Sequence, residues 1–128
     1  MTRELVSKWF DRLAEKERDL PLLMVDSAIY TPRTAYNEVM RASPIGSKLQ
    51  ALIETGRFGT STYEEEQIAK IRLRQILQTQ PEKPLFATLS GKLFTPSQLL
   101  QEIESNTEIG QQWVKNEQQH MRMLVSVR

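Results

Sequence analysis

The chain of 128 residues is long enough to form one domain with a modest core. Apolar residues make up 39% of it and charged residues 26%, so the composition excludes wholesale disorder, and we expect a single domain over residues 1–128. The 17 basic and 16 acidic side chains leave a net charge of +1, which argues against binding to nucleic acid or membrane by bulk electrostatic attraction.

Missing residue types exclude several kinds of chemistry. The chain has no cysteine, so it forms no disulfide and offers no thiolate to a metal or a substrate. Its one histidine, His120, excludes a two-histidine metal site within the chain. No stretch approaches the roughly 18 apolar residues of a membrane span, and the N-terminal residues lack the apolar run of a signal peptide. We therefore expect a cytoplasmic protein without membrane contact, metal or cofactor.

Two stretches of the sequence resemble each other at an offset of 64 residues. Residues 30–46 read YTPRTAYNEVMRASPIG and residues 94–110 read FTPSQLLQEIESNTEIG, with five identities and no gap. The matches, conservative pairs included, fall mostly at predicted helix starts, at apolar positions and at a glycine. The pattern predicts an internal duplication, with repeat units 2–57 and 62–128 joined by a linker over 57–61. Chance similarity between helix starts is the alternative explanation.

The first unit is predicted to fold as a helix, a hairpin and two further helices. The first helix starts near Thr2 and ends before Pro21. Its apolar stripe consists of Leu5, Trp9 and Leu13. Short apolar runs on either side of Asp26-Ser27 predict the hairpin. Thr31-Pro32 then starts the second helix, because threonine caps a helix and proline suits its first position. A third helix follows directly from Ser43-Pro44 and stops at Gly56.

The second unit repeats this order. Its first helix starts at Ser61, and a two-residue Ser90-Gly91 loop predicts a hairpin between residues 85–89 and 92–94. Thr95-Pro96 and Thr107-Glu108 start the last two helices. The fold class is therefore α+β and helix-dominated, with two tandem α-ββ-αα units and small β-hairpins packed as one domain.

A glycine stands in the first turn of the third helix of each unit, at Gly46 and Gly110. Glycine inside a helix costs about 1 kcal/mol relative to alanine. Its presence at both positions predicts a close approach of two backbones at the bend between the second and third helices.

Candidate catalytic groups are few. Glu117 and His120 have the i, i+3 spacing of some carboxylate-bridged metal sites, but the partner ligands of such a site are missing. Glu38 and Glu102 stand at equivalent positions of the two units. They could form an acid pair with split pKa values, or each could bond a backbone amide or a nearby arginine in its own unit. The structural interpretation is favoured. Because nucleophile motifs and glycine-rich phosphate loops are also missing, we predict no enzyme and no catalytic residues.

Interaction is the function that remains. The C-terminal helix ends in an apolar, methionine-containing run that a partner can cover. The predicted interface consists of Trp113, Met121, Met123, Leu124, Val125 and Val127. The sequence thus predicts a small non-enzymatic protein–protein interaction or assembly module, which binds a second copy of itself as a homo-oligomer or binds another protein.

A nucleic-acid-binding regulator is the alternative. The tight bend between the second and third helices resembles a helix-turn-helix, and basic residues lie on nearby helix faces. The candidate contacts are Lys70, Arg72, Arg74, Arg33, Arg41 and Lys48. Against this function, glutamates occupy the corresponding region of the second unit, and solvated helix faces explain the basic clusters equally well. Binding to nucleic acid is therefore the less favoured prediction.

Overall fold

A computed structural model describes residues 2–126 of the chain, without the side chain of Thr2. The elements in chain order are α1 (Thr2–Arg12), a 3-10 helix (Glu15–Asp19), β1 (Leu23–Val25), β2 (Ala28–Tyr30), α2 (Pro32–Met40), α3 (Pro44–Thr55), α4 (Thr62–Gln78), β3 (Phe86–Ala87), β4 (Leu93–Phe94), α5 (Pro96–Glu104) and α6 (Glu108–Val125). The helix-dominated α+β class is confirmed, with two small antiparallel hairpins in one compact domain.

The predicted helix starts at the two Thr-Pro pairs are confirmed. The hydroxyl of Thr31 accepts a hydrogen bond from the Thr34 N–H at 3.1 Å, and that of Thr95 accepts one from the Gln98 N–H at 3.3 Å. The side chains of Thr34 and Gln98 bond back to the cap N–H groups, so each helix has a closed capping box. These caps fix where α2 and α5 leave the hairpins.

The bends after α2 and α5 bring two backbones into contact, as the glycines predict. A Cβ atom placed on Gly46 would lie 2.3 Å from the carbonyl oxygen of Glu38, and one placed on Gly110 would lie 2.2 Å from that of Glu102. No side chain fits at such a distance, so each bend requires glycine.

One hydrophobic core spans both halves of the chain. Its largest fully buried apolar side chains come from α1, the first hairpin, α3, the link to α4, α4 itself, α5 and α6: Trp9, Phe58, Leu22, Leu23, Leu49, Ile53, Ile68, Leu99, Met121, Val6 and Val25. The indole N–H of Trp9 donates to the carbonyl of Leu124 at 2.8 Å and ties α1 to the end of α6.

The first helix ends earlier than predicted. It stops at Arg12 rather than near Pro21, and Ala14, with an extended ψ of 145°, turns the chain into the 3-10 helix. This turn carries Glu17 to an ion pair with Arg72 and places the Arg18 guanidinium 4.7 Å from the Phe10 ring centroid. Tertiary contacts therefore override the helical pattern after Arg12.

The second hairpin also departs from its prediction. Its strands are only two residues long, and the connection runs over residues 88–92 instead of Ser90-Gly91 alone. Thr88 organises this loop, because its carbonyl accepts from the Gly91 N–H at 2.9 Å and its hydroxyl from the Lys92 N–H at 3.1 Å. The two hairpins form separate sheets. None of the helices in residues 2–126 has both the length and the apolar character that crossing a membrane requires.

Candidate interaction surface

The first strand of the first hairpin, β1, is enclosed by its own chain. All three residues of β1 are buried. The Met24 N–H donates to the Phe58 carbonyl at 2.9 Å, and Gly59 forms a parallel bridge with Met24. The Phe58 side chain is fully buried. Residues 58–59 therefore act as a short third strand that closes the free edge of β1.

Two glutamates in the first turn of α4 hold this arrangement. The Glu65 carboxylate accepts from the Phe58 N–H at 3.1 Å. Glu64, which is buried, accepts from the N–H groups of Ser27 and Thr60 at 2.9 Å each and from the Thr60 hydroxyl. The Thr60 hydroxyl bond, followed by the backbone bonds, lowers the pKa of Glu64. The sequence predicted only helix caps at these glutamates. It did not indicate that the carboxylate of Glu64 reaches the turn of the first hairpin.

The second hairpin lacks this cover. Within residues 2–126, no backbone hydrogen bond from outside the hairpin reaches β3. Leu85 is 47% exposed and Leu93 is 56% exposed, and Leu89 at the tip lies entirely in solvent. Only the inner face is packed, where Phe94 is buried and Phe86 lies half-buried beside it. An unpaired edge and exposed leucines thus coincide at one end of the molecule.

A groove lies between Phe86 and the first half of α6. Its volume is about 370 Å³, and it is lined by Phe86, Glu108, Ile109, Gln112, Trp113 and Asn116. The rings of Phe86 and Trp113 meet edge to face, with centroids 5.4 Å apart and an angle of 88°. Within residues 2–126, the Glu108 carboxylate has no cationic partner and the Trp113 indole N–H has no acceptor. The groove therefore combines aromatic walls with an unused acceptor and an unused donor.

Only part of the predicted C-terminal interface is accessible. Met121 and Val125 are fully buried, and Leu124 is half-buried beside Trp9. Met123 is 76% exposed on the last turns of α6. Val127 lies outside the described residues. The structure thus places Trp113 in the groove and leaves Met123 exposed further along α6.

The six candidate nucleic-acid contacts all form ion pairs within the chain. Four pairs have N–O distances between 2.8 and 3.3 Å: Arg33–Asp19, Lys48–Asp26, Lys70–Glu66 and Arg74–Glu104. Arg41 pairs with Glu38, and Arg72 pairs with both Glu17 and Glu117. The structure does not gather these cations into one unpaired basic patch.

Arg72 lies in the interior, with a side-chain exposure of 1%. Its Nε donates to Glu117 at 2.6 Å, its Nη1 donates to the Pro21 carbonyl at 3.1 Å, and its Nη2 donates to Glu17. Burial alone would raise the pKa of Glu17, but the hydrogen bond and charge of Arg72 outweigh it and lower that pKa. This guanidinium joins α4 to the 3-10 helix and to α6. The sequence indicated only a basic helix face.

The paired glutamates each bond to the cap of the next helix. The Glu38 carboxylate accepts from the Ser43 hydroxyl at 2.7 Å, and the Glu102 carboxylate accepts from the Thr107 hydroxyl at 2.6 Å. Ser43 and Thr107 in turn accept from the first-turn glycine N–H groups. Each glutamate thereby orients the residue that caps α3 or α6.

The single histidine is half-exposed on α6. Its Nε2 lies 3.6 Å from Glu17. Within the part of the chain that the structure describes, no three histidine, aspartate or glutamate side chains are grouped so that they could hold a metal ion.

Comparisons with known proteins found no relative. The sequence matches no protein-family model and no curated protein, and the fold matches no solved structure.

Proposed function

We propose that this chain is a small non-enzymatic protein–protein interaction or assembly module. Its binding face consists of the second hairpin and the groove on α6. One observation carries the proposal: β1 is closed by residues of its own chain, whereas within residues 2–126 the second hairpin, with its exposed leucines, has no such cover. Exposed apolar side chains beside an open strand edge are typical of surfaces that a partner covers.

The residue types that line the groove support the proposal that the partner is a protein. Interfaces are enriched in aromatic residues at their centre and carry polar residues at the rim. Here Phe86 and Trp113 form the walls, while Gln112 and Asn116 lie at the exposed side. The pairing of all six candidate nucleic-acid cations with carboxylates also supports a protein partner over a nucleic acid.

We further propose that the two halves are duplicated units, over residues 2–57 and 62–128. Both run helix, hairpin, helix, helix. Both start their second helix with a closed capping box and their third with a glycine packed on the preceding glutamate carbonyl. In this interpretation the second hairpin has kept its shape and lost the cover of the first, which leaves it open to a partner.

Self-association is the first form of the proposal to test. We expect multi-angle light scattering of the whole chain to give a mass that rises between a low and a high protein concentration. The change Leu93→Glu places a charge on the exposed face of β4 and should return the mass to that of a monomer. The matched control is Tyr63→Ser, which removes an aromatic residue that is 71% exposed on α4. A mass that is equal for all three proteins at every concentration would contradict self-association through this face.

A further inference from the structure

We propose that the groove between β3 and α6 binds an extended peptide of another protein that carries a basic, an aromatic and a small residue in that order, and that this peptide adds to β3 as a parallel third strand. The inference rests on the proposed function, because it assumes that the second hairpin is a binding face. It goes further by naming the chemistry and the direction of the partner.

The first half of the chain contains an example of this arrangement. Arg57, Phe58 and Gly59 pass the edge of β1, where Phe58 is fully buried and Gly59 bridges Met24 in parallel. In this first half the third residue is a glycine, because a Cβ atom on Gly59 would lie 2.8 Å from the Glu65 nitrogen of α4. The basic–aromatic–small order is therefore one that this hairpin architecture already accepts.

Within residues 2–126, the second half presents the matching positions without an occupant. The Leu22 N–H donates a hydrogen bond to the Tyr30 carbonyl at 3.0 Å, and the Leu85 N–H donates one to the Phe94 carbonyl at 2.8 Å. Because the two bonds are equivalent, β3 corresponds to β1. Trp113 follows Gly110 by three residues, as Leu49 follows Gly46. Leu49 is fully buried, whereas Trp113 is only partly buried and lines the groove.

The charge of the groove selects the basic residue. Glu108 is the one charged residue among the groove's lining residues and has no cationic partner within residues 2–126. A lysine or arginine beside the aromatic anchor would neutralise this carboxylate. The volume of about 370 Å³ lies at the small end of ligand pockets, which span about 300–1,000 Å³, and so suits one or two side chains.

A second copy of this chain is a poorer occupant than a foreign peptide. Its own basic–aromatic–small segment is bonded to β1, with Phe58 fully buried. Releasing that segment would open the core. A peptide that is extended in its own protein adds to a strand edge without such a loss, as in known strand-addition complexes.

The test titrates the full chain with a synthetic peptide of sequence TGRFGTS, identical to residues 55–61, and records amide shifts by NMR together with tryptophan fluorescence. We expect saturable binding, with the largest shifts at Phe86, Ala87 and Trp113. A peptide with alanine in place of phenylalanine should not bind. The variant Glu108→Gln should weaken binding about two- to fivefold, the range of an exposed ion pair. Tyr63→Ser should leave binding unchanged.

Several outcomes would overturn the inference. They are shifts confined to other surfaces, shifts that persist with the alanine peptide, or no shifts at millimolar peptide. Competition between the peptide and a dimer of the chain would also overturn it, because the occupant would then be a second copy. The light-scattering comparison with Leu93→Glu remains separate, so self-association without peptide binding would sustain the proposed function and remove this inference. Circular dichroism of each variant verifies that the fold is intact.

Discussion

The two hairpins of this protein share a local architecture and differ in their surroundings. Each is antiparallel and leads through a threonine cap into a helix. Leu22 in front of β1 is fully buried, and Leu85 at the corresponding place in front of β3 is 47% exposed. The difference arises beyond the hairpins: Phe58, Gly59 and the start of α4 follow α3 and cover β1. A local pattern thus determines a hairpin, and the chain that follows it determines whether the first strand of that hairpin is buried or exposed.

The change with the largest expected effect removes the cover of the first hairpin. Phe58→Ala should lower the free energy of unfolding by about 3–5 kcal/mol, because a fully buried aromatic side chain is lost and a cavity remains. Urea denaturation measures the change. The half-buried Phe86 is the matched position, and Phe86→Ala should cost clearly less. Equal costs would mean that both hairpins are covered to the same degree and would remove the basis of the comparison.

The leucines at corresponding positions sharpen the same comparison. Leu22→Ala should destabilise the fold by about 2–5 kcal/mol, as for other buried leucines. Leu85→Ala removes the same atoms from a site that is 47% exposed and should cost less than about 1 kcal/mol. Both values come from chemical denaturation of the monomer at low concentration. A cost for Leu85→Ala as large as that for Leu22→Ala would show that β3 packs in the core.

The two bends test where the halves behave alike. Gly46→Ala and Gly110→Ala should each destabilise the protein by about 1–3 kcal/mol, since the added methyl group meets a backbone carbonyl that cannot move freely. The expected costs are similar, because the contact distances are nearly equal at 2.3 and 2.2 Å. Ser47→Ala, at an exposed position in the first turn of α3, is the control and should change stability by less than about 0.5 kcal/mol. If one glycine tolerates alanine, the two bends are not equivalent.

Local signals predicted most of the helices. Thr31 and Thr95 cap their helices as expected, and the first-turn glycines report a close backbone approach. These features depend on a few neighbouring residues, so the sequence contains all the information they require. The early end of α1 could not be predicted in this way, because it depends on the pairing of Glu17 with Arg72, residues 55 positions apart.

The candidate surface was harder to predict for the same reason. The sequence pointed to the apolar C-terminal run, but Met121 and Val125 are buried inside the protein's own core. Whether an apolar side chain is covered depends on which helix packs over it, and no local pattern records this. Trp113 was among the predicted residues, whereas its partner Phe86 is 27 positions away and was assigned only to a hairpin.

The smallest expected effect concerns the carboxylate that holds the covered hairpin. Glu64→Gln replaces a charged acceptor of the Ser27 and Thr60 N–H groups by a neutral one, which should cost about 1–2 kcal/mol at pH 7. The fold lowers the pKa of Glu64. The stabilisation that its carboxylate gives is therefore fully present at a pH above the pKa of Glu64 in the unfolded chain. It disappears as the pH falls through the lower pKa of Glu64 in the folded protein. Denaturation curves of the variant and the parent should therefore differ at pH 7 and converge in acid. Glu66→Gln, which removes a partly exposed ion pair with Lys70, should cost less than about 0.5 kcal/mol. A Glu64→Gln variant as stable as Glu66→Gln at pH 7 would mean that the cover of β1 depends on packing alone.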